Sequence, residues 1–188
     1  ACEHHSKASG RGVTMPIKSK IRTVPDFPKK GIMFRDVTSL IADPLGLRLC
    51  VDDFAKRYKE KDFDLVVGID SRGFIFGAAL AYLLQKGFIP VRKKGKLPAE
   101  TVSETYELEY GTDTLEIHKD AIKKGQRVLI IDDLIATGGT AVAAINLVRK
   151  LGAQVVEFAA VVDLPDIGGS KKIENAGVTV YSQTTFEG

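Results

Sequence analysis

Residues 127–151 read RVLIIDDLIATGGTAVAAINLVRKL, and this stretch decides the fold class. The apolar run from Val128 to Ile131 has the length and branching of a strand that is buried on both faces. From about Thr140 to Leu151, apolar residues recur at the spacing of one helix face. A buried strand that turns directly into an amphipathic helix is typical of α/β folds with a parallel sheet.

The turn between this strand and this helix predicts a site for a sugar phosphate. Two adjacent carboxylates, Asp132 and Asp133, are followed by a turn at residues 136–140 that contains a glycine pair and two threonines. Glycines let the backbone approach a ligand, and the N–H groups and dipole of the new helix attract an anion, most naturally a phosphate. The carboxylates suit neutral hydroxyls, such as those of a ribose, or a magnesium ion held through water. An ordinary βα turn is the alternative for a bare glycine pair, but the acid pair and the threonines argue against it.

Two better-known phosphate loops are absent from the sequence. No G-x-x-x-x-G-K-[ST] occurs, and no G-x-G-x-x-G follows a predicted strand. A P-loop nucleotide hydrolase and a dinucleotide-binding site are therefore not indicated.

Length and composition are those of one globular domain. The chain has 188 residues and a net charge of +3, which does not support a nucleic-acid partner and suits an enzyme that handles polyphosphates. Its two cysteines define neither a disulfide framework nor a zinc site. No apolar run is long enough to span a bilayer, so we expect a cytoplasmic protein without membrane contact. We interpret residues 1–16 as a flexible leader, in part of cloning origin, and residues 17–188 as a single domain.

A second strand–turn–helix, at residues 65–85, repeats the arrangement. The apolar run Leu65 to Ile69 ends in Asp70-Ser71-Arg72-Gly73, and a helical pattern follows. Arg72 lies where a guanidinium can clamp an anion beside helix N–H groups, although a surface arginine in a polar turn is common. A third strand, residues 87–91, runs into four cations within residues 92–96, which either form a solvated face or neutralise a pyrophosphate.

The segment after these cations predicts a mobile loop and a hairpin. Residues 95–103 are Gly, Pro and mostly polar residues, and long loops in compact domains are often active-site lids. Residues 106–110 and 115–118 predict two short strands of a hairpin. Glu109 lies at the root of the lid, whereas the alternation around His118 favours a structural role.

The remaining segments complete an alternation of helices and strands, which favours a mainly parallel sheet with helices on both faces. Residues 24–36 predict a loop or short strand in which Phe27 and Phe34, on composition alone, fill the core. The other predicted elements are helices at residues 17–24, 45–59 and 168–175 and strands at residues 155–164 and 178–182.

Five stretches, in the same order, resemble the adenine phosphoribosyltransferases, which are type I phosphoribosyltransferases. The resemblance implies the type I fold, a central mainly parallel sheet flanked by helices, with a small hood at about residues 17–36 and a mobile lid at about residues 95–111. The stretches are PDFPKKGIMFRD (25–36), GIDSRGFIFG (68–77), VRKKGKLPAETVSETYELEYG (91–111), LEIHKDAI (115–122) and VLIIDDLIATGGT (128–140).

The resemblance also implies a reaction and its partners. Adenine and phosphoribosyl pyrophosphate (PRPP) give AMP and pyrophosphate, with Mg²⁺ as cofactor. A homodimer is implied, in which Lys96 reaches the site of the neighbouring subunit. No direct protein ligand is expected for the magnesium ion, which Asp132 and Asp133 would meet only through water or ribose.

Site residues follow from the same resemblance. Asp132 and Asp133 would contact the ribose, and Phe34 would stack on adenine, which replaces the core interpretation of Phe34. Glu109 would lie near adenine N7 and assist proton transfer, and Arg72 would share the catalytic work by stabilising the leaving pyrophosphate. The resemblance further implies that the 5′-phosphate is bound by Ala136, Thr137, Gly138, Gly139 and Thr140. It implies that the pyrophosphate is bound by Asp70, Ser71, Arg72, Gly73, Arg92, Lys93 and Lys96, often through an unusual cis peptide in residues 70–73. Backbone groups of Met33 and Arg35 would contact the adenine edge.

Three alternatives stay open at this point. The same fold could act on xanthine, hypoxanthine or orotate, since base specificity can rest on a few backbone contacts. A regulator that senses PRPP or a purine and binds nucleic acid would be expected to carry an added module or a basic face. A structural protein with an inactive site is the third. A catalytic assay with magnesium separates the enzyme from the last two.

Overall fold

Residues 16–108 and 110–188 are described by a computed structural model of the chain. Two short strands, β1 (Arg22–Pro25) and β2 (Met33–Asp36), form an antiparallel hairpin. The other strands form one seven-stranded sheet: β3 (Leu65–Ile69), β4 (Gly87–Lys93), β5 (Thr101–Glu107), β6 (Thr112–His118), β7 (Arg127–Ile135), β8 (Gln154–Asp163) and β9 (Val180–Thr185).

The strand order of the large sheet is β5-β6-β4-β3-β7-β8-β9. Strands β4, β3, β7, β8 and β9 pair in parallel, and β6 pairs antiparallel with both β4 and β5. The expected mainly parallel sheet is therefore confirmed, with the β5–β6 hairpin added at one edge.

Helices cover both faces of this sheet. They are α1 (Thr38–Ala42), α2 (Pro44–Tyr58), α3 (Gly73–Leu84), α4 (Gly139–Lys150) and α5 (Gly169–Asn175), with a 3₁₀ turn at Pro165–Ile167 and a helical segment at residues 16–19. None of the helices in the described ranges combines the length and apolarity needed to cross a membrane.

Strand β7 lies between two apolar cores, as its sequence predicted. Val128 and Ile130 belong to the core that α4 covers, whereas Leu129 and Ile131 belong to the core that α2 and α3 cover. Successive side chains of a strand point to opposite faces, so an uninterrupted apolar run is what a strand covered on both sides requires.

The start of helix α2 is set by its sequence. Asp43 is the N-cap, and its side chain accepts hydrogen bonds from the N–H groups of Leu45 (2.9 Å) and Gly46 (3.2 Å). Pro44 occupies the first helical position, where a missing N–H costs nothing. The predicted start near Leu45 is therefore confirmed to within one residue.

Three secondary-structure predictions are wrong. The predicted helix at residues 17–24 is helical only at 16–19, because residues from Arg22 onward pair with β2. The predicted loop at residues 95–103 ends at residue 100, since β5 begins at Thr101, and the first hairpin strand therefore lies at 101–107 and not at the predicted 106–110. The Lys150 side chain on α4 reaches the Ser103 carbonyl (2.7 Å) and Glu104 (2.5 Å), so a polar run that looks like a loop is held by a helix distant in sequence.

Candidate functional site

The ends of two neighbouring strands bring the predicted site segments together. Strands β3 and β7 are parallel neighbours, with Gly68 paired to Ile131. The turn at residues 70–73 therefore lies beside the acid pair, at the carboxyl edge where open α/β sheets bind ligands. A Cβ at Gly73 would lie 3.0 Å from both the Ile131 carbonyl oxygen and Asp132 Oδ1, so glycine permits this close approach. The Asp70–Ser71 peptide bond is cis, as the resemblance implied.

Arg72 is bonded to one member of the acid pair. Its Nε donates to Asp133 Oδ2 at 2.5 Å, and the Asp133 side chain is only 8% exposed. Burial lowers the pKa of Arg72, but the hydrogen bond and charge of Asp133 outweigh it, and the net direction is upward. Asp133 therefore has its charge partner inside the protein.

The other carboxylate, Asp132, has a different environment. Its Oδ1 accepts a hydrogen bond from the main-chain N–H of Asp133 at 2.8 Å. Burial, and then the neighbouring charge of Asp133, raise the pKa of Asp132 well above its usual value. A carboxylate of this kind gains from any ligand that supplies hydrogen-bond donors or positive charge.

The glycine turn encloses a small cavity at the start of α4. Gly138 has φ +85°, and no side chain caps the N-terminus of the helix. The main-chain N–H groups of the first turn are thus free of a side-chain cap, which suits an anion. The cavity measures about 110 Å³ and is lined by Asp132, Leu134, Ile135, Ala136, Thr137, Gly138, Thr140 and Ala141.

This turn is supported from behind by Gly169 at the start of α5. The Gly169 N–H donates to the Ala136 carbonyl at 3.1 Å. A Cβ on Gly138 would lie 2.7 Å from the Gly169 carbonyl oxygen, and a Cβ on Gly169 would lie 2.3 Å from the Ala136 carbonyl oxygen. Two backbones approach each other more closely here than any side chain would allow.

The basic residues at 92–96 contact two different parts of the structure, the turn at residues 70–73 and the β5–β6 hairpin. Arg92 Nε donates to Asp70 Oδ2 at 3.1 Å, so Arg92 joins the turn at residues 70–73. The Lys93 ammonium pairs with Asp113 and donates to the Tyr106 hydroxyl (3.0 Å), both on the β5–β6 hairpin. Lys96 is exposed on the loop that follows.

Tyr106 connects this hairpin to the glycine turn. Thr140 Oγ1 donates to the Tyr106 hydroxyl at 3.2 Å, and a Cβ on Gly139 would lie 3.3 Å from the Tyr106 ring. Lys93, Tyr106 and Thr140 thus form one hydrogen-bonded chain from the basic run to the predicted phosphate site.

A larger cavity of about 400 Å³ opens beside these groups. The hood contributes Met33, Phe34 and Arg35, and the Phe34 ring meets Phe27 edge-on at 5.2 Å between centroids. Phe27 is 51% exposed, so its interpretation as a core residue is wrong. The remaining lining residues are Gly31, Ile32, Arg72, Leu134, Ala136, Leu164, Asp166, Ile167, Phe186 and Gly188.

Several of these residues gave no signal in the sequence. Tyr106 and Asp113 looked like ordinary hairpin residues, and Gly169 looked like part of the short helix predicted at residues 168–175. Phe186 lies in a polar tail where a lone aromatic residue predicts nothing. Glu109, predicted to assist proton transfer, lies outside the described residues. Among the described residues, no three His, Cys, Asp or Glu side chains cluster to form a metal site.

Comparison with known proteins agrees with this arrangement. The phosphoribosyl transferase domain family matches residues 37–183. An adenine phosphoribosyltransferase of Chlorobium limicola is 62% identical over 176 residues, which cover 93% of this chain and 99% of that protein. This chain belongs to the adenine phosphoribosyltransferase family.

Solved adenine phosphoribosyltransferases have the same fold. The crystal structure from Thermoanaerobacter pseudethanolicus is 50% identical, with a TM-score of 0.87 over 92% of this chain and 99% of that one. The Saccharomyces cerevisiae enzyme, crystallised with adenine and an imino-altritol bisphosphate, is 40% identical, with a TM-score of 0.86 over 92% and 99% of the two chains. The type I phosphoribosyltransferase fold expected from the sequence is confirmed.

Proposed function

We propose that this chain is a purine salvage enzyme that transfers the 5-phosphoribosyl group of PRPP to adenine, giving AMP and pyrophosphate. The observation that carries the proposal is the continuity of the cavities. Arg72, Leu134 and Ala136 line the large apolar cavity under Phe34, while Leu134 and Ala136 also line the small cavity of the glycine turn. A base in one cavity and a phosphate in the other would place a ribose across the acid pair.

The ribose 5-phosphate half is assigned to the strand–turn–helix at residues 127–151. Residues 136–140 bind the 5′-phosphate through main-chain N–H groups at the uncapped start of α4 and through the hydroxyls of Thr137 and Thr140. Asp132 accepts hydrogen bonds from the ribose hydroxyls, which offsets the unfavourable burial of its charge. Asp133 holds Arg72 in place and contributes its remaining acceptor capacity to the same hydroxyls.

The pyrophosphate is assigned to the turn at residues 70–73. Arg72 is half exposed and, bonded to Asp133 through Nε, keeps its terminal nitrogens for the ligand. Arg92 approaches the same turn through Asp70. We keep Lys93 in this site on the resemblance, although it is paired with Asp113, and we propose that Lys96 reaches the pyrophosphate site of a neighbouring subunit. As the C–O bond to pyrophosphate breaks, negative charge grows on the leaving group and these cations stabilise it.

Adenine is assigned to the large cavity. Phe34 offers a ring face to the base, and main-chain groups of Met33 and Arg35 read its edge. Neutral adenine must lose one ring proton as the glycosidic bond forms. In the N7–H tautomer, N9 attacks the anomeric carbon with its lone pair, and a carboxylate beside N7 accepts the N7 proton. We keep Glu109 as that carboxylate, on the resemblance alone. No covalent nucleophile is needed, because the anomeric carbon accepts the base nitrogen as pyrophosphate leaves.

A magnesium ion fits this donor set only indirectly. Asp133 is already paired with Arg72, which leaves Asp132 and the ligand's own oxygens as the hard donors that Mg²⁺ prefers. We propose that Asp132 and Asp133 meet the ion through water or ribose hydroxyls. When bound, Mg²⁺ would neutralise charge on the leaving pyrophosphate.

The hood (residues 17–36) and the lid (residues 95–111) are proposed parts of one domain, residues 17–188. Of the leader predicted at residues 1–16, residues 1–15 lie outside the described residues, and residue 16 belongs to the helical segment 16–19. The Lys29 ammonium of the hood lies 5.5 Å from the centre of the Tyr110 ring in the lid, which supports a contact between the two. A closed lid would exclude water from the activated ribose.

A homodimer and a cytoplasmic location complete the proposal. Helix α3 exposes Ile75, Tyr82 and Leu83 at the spacing of one helix face, and Tyr82 is 83% exposed. We propose that a second copy covers this face. Because the polyanionic PRPP does not cross membranes unaided, we propose that the enzyme works in the cytoplasm.

A panel of bases tests the function. Purified protein, PRPP and Mg²⁺ are mixed separately with adenine, hypoxanthine, guanine, xanthine and orotate, and pyrophosphate release is followed. We expect release with adenine at a kcat/KM far above that of the other bases. Preference for another base would keep the PRPP site but reject the base assignment, and PRPP binding without release would favour a regulator.

A further inference from the structure

We propose that Phe186 is a positioning residue of the base cavity, with its ring serving both as a wall and as the support of Arg35 in the hood. This inference deepens the proposed function and rests on it for the identity of the base. Phe186 lies beyond β9, far in sequence from every motif described above.

The ring lines the same cavity as Phe34. The apolar lining of the cavity comes from two parts of the chain. One part follows β8 and β9 and contributes Leu164, Ile167 and Phe186, and the other is the hood, which contributes Met33 to Arg35. Phe186 is half-buried and packs against the core that contains α2 and α3. Its ring is therefore fixed on one side by the core and faces the cavity on another.

Arg35 is held by this ring. Its guanidinium carbon lies 4.6 Å from the centre of the Phe186 ring, within the range of a cation–π contact. Arg35 Nη1 also donates to Thr23 Oγ1 at 2.6 Å, so the same side chain joins β2 to β1. The Lys18 ammonium lies 4.9 Å from the same ring, and Phe186 thus contacts both strand β2 and the segment that precedes β1.

The hood depends on such side-chain contacts. Within the described residues, β1 and β2 pair with each other and with no strand of the large sheet. The backbone of Met33 to Arg35 is therefore not positioned by the hydrogen-bond ladder that holds β3 or β7. If that backbone reads the base edge, whatever holds Arg35 also sets the distance between the base and the ribose site.

Phe186 is itself positioned by the backbone. Its N–H donates to the Asp163 carbonyl at the end of β8 (3.2 Å), and the Gly188 N–H donates to Asp166 Oδ2 (2.8 Å). The segment after β9 thus crosses the end of β8 and the 3₁₀ turn. This anchoring makes the ring a wall with a fixed place.

The proposal predicts a selective defect. Phe186→Ala opens the base cavity and releases Arg35, but it leaves the Arg72–Asp133 pair and the glycine turn intact. We expect the KM for adenine to rise roughly tenfold, the effect of losing part of an aromatic contact in an apolar pocket, while the KM for PRPP stays within twofold. Phe186→Tyr, which keeps the ring face, should restore the wild-type KM, and Phe186→Leu, which keeps apolar bulk without a ring, should restore it only in part.

Tyr181→Leu is the matched control. Tyr181 lies on β9 and also has an arginine over its ring, with the Arg57 guanidinium carbon 4.0 Å from the ring centre, and it does not line the base cavity. We expect a lower melting temperature for this variant and an unchanged KM for adenine.

The experiment separates the two proposals. Steady-state kinetics are run with the base that the wild-type protein prefers, and adenine and AMP binding are measured by calorimetry. If the wild-type protein prefers another base, adenine is excluded as the proposed substrate. A selective rise of the KM for that other base in Phe186→Ala would still support the role of Phe186 as a wall of the base cavity. Unchanged KM and affinity in Phe186→Ala would overturn the inference, as would equal rises in the KM of base and PRPP, or wild-type values for Phe186→Leu.

Discussion

Arg72 Nε lies 2.5 Å from Asp133 Oδ2, so the turn after β3 is bonded to the acid pair after β7. The two residues were assigned from the sequence to different ligands, the pyrophosphate and the ribose. This ion pair couples the two sites electrostatically, because a substitution of either residue changes the electrostatic potential at the other. It also separates the roles of the acid pair, because Asp133 has a cationic partner and Asp132 carries a raised pKa.

Arg72→Ala should reduce both activity and stability. We expect kcat/KM to fall by about 10²–10³, the size of losing one preorganised cationic donor to a developing charge. The free energy of unfolding should fall by about 1–2 kcal/mol, because Asp133 is left buried without its partner while the half-exposed arginine limits the loss. Steady-state kinetics and urea unfolding measure the two effects.

The double variant Arg72→Ala with Asp133→Asn is the control for that experiment. Removing the orphaned charge should recover most of the lost stability without recovering activity. If activity returned with stability, Arg72 would serve only to hold the fold.

Asp132→Asn should make the protein more stable and less active. The raised pKa of Asp132 means that the folded state holds this proton to higher pH than the unfolded chain. Stability therefore falls as pH rises from about 4 through the raised pKa, and the amide avoids that loss. At pH values above the raised pKa, we expect the free energy of unfolding of the variant to exceed that of the wild type by roughly 1–2 kcal/mol. This difference should vanish toward pH 4.

Thermal unfolding of both proteins between pH 4 and 8 checks this prediction, with PRPP turnover measured beside it. Asp133→Asn is the matched control and should lower the free energy of unfolding, because it removes the negative charge that pairs with Arg72. A variant at Asp132 that is less stable than the wild type at every pH would contradict the assignment.

Tyr106→Phe should weaken PRPP use without affecting the base. The change removes one hydroxyl that bonds to Lys93 and Thr140 and leaves the ring beside Gly139. We expect the KM for PRPP to rise about fivefold, the cost of roughly 1 kcal/mol for such a hydrogen bond, with the KM for adenine unchanged. Thr105→Ala, which removes an exposed Thr105–Thr114 bond on the same hairpin, should leave both constants unchanged.

Gly138→Ala should abolish PRPP binding. The residue has φ +85°, and a Cβ would lie 2.7 Å from the Gly169 carbonyl oxygen, so the turn must move. Gly168→Ala is the control, because Gly168 has φ +93° with nothing within 4 Å of its Cβ position. The control should lose only about 1–2 kcal/mol of stability from backbone strain and keep its affinity for PRPP. Calorimetric titration and thermal unfolding distinguish the two, and equal affinity of both variants would argue that the turn does not hold the phosphate.

Much of the fold was present in short stretches of sequence. The buried strand, acid pair, glycine turn and helix at residues 127–151 are contiguous, and each is encoded by periodicity or by the backbone freedom of glycine. The same holds for β3 with the turn at residues 70–73. Because both strands are parallel, their carboxyl ends had to share one edge of the sheet, and the sequence alone determined where a ligand would bind.

The tertiary structure decided which side chains meet at that edge. Arg72 and Asp133 are 61 residues apart, Tyr106 and Thr140 are 34 apart, and Phe186 reaches Arg35 from the far end of the chain. The extent of β5 was also decided in this way, by its contacts with α4. Local patterns report the interactions of a residue with its own helix or strand, whereas these pairs depend on strand order and on the packing of separate elements, which no local pattern carries.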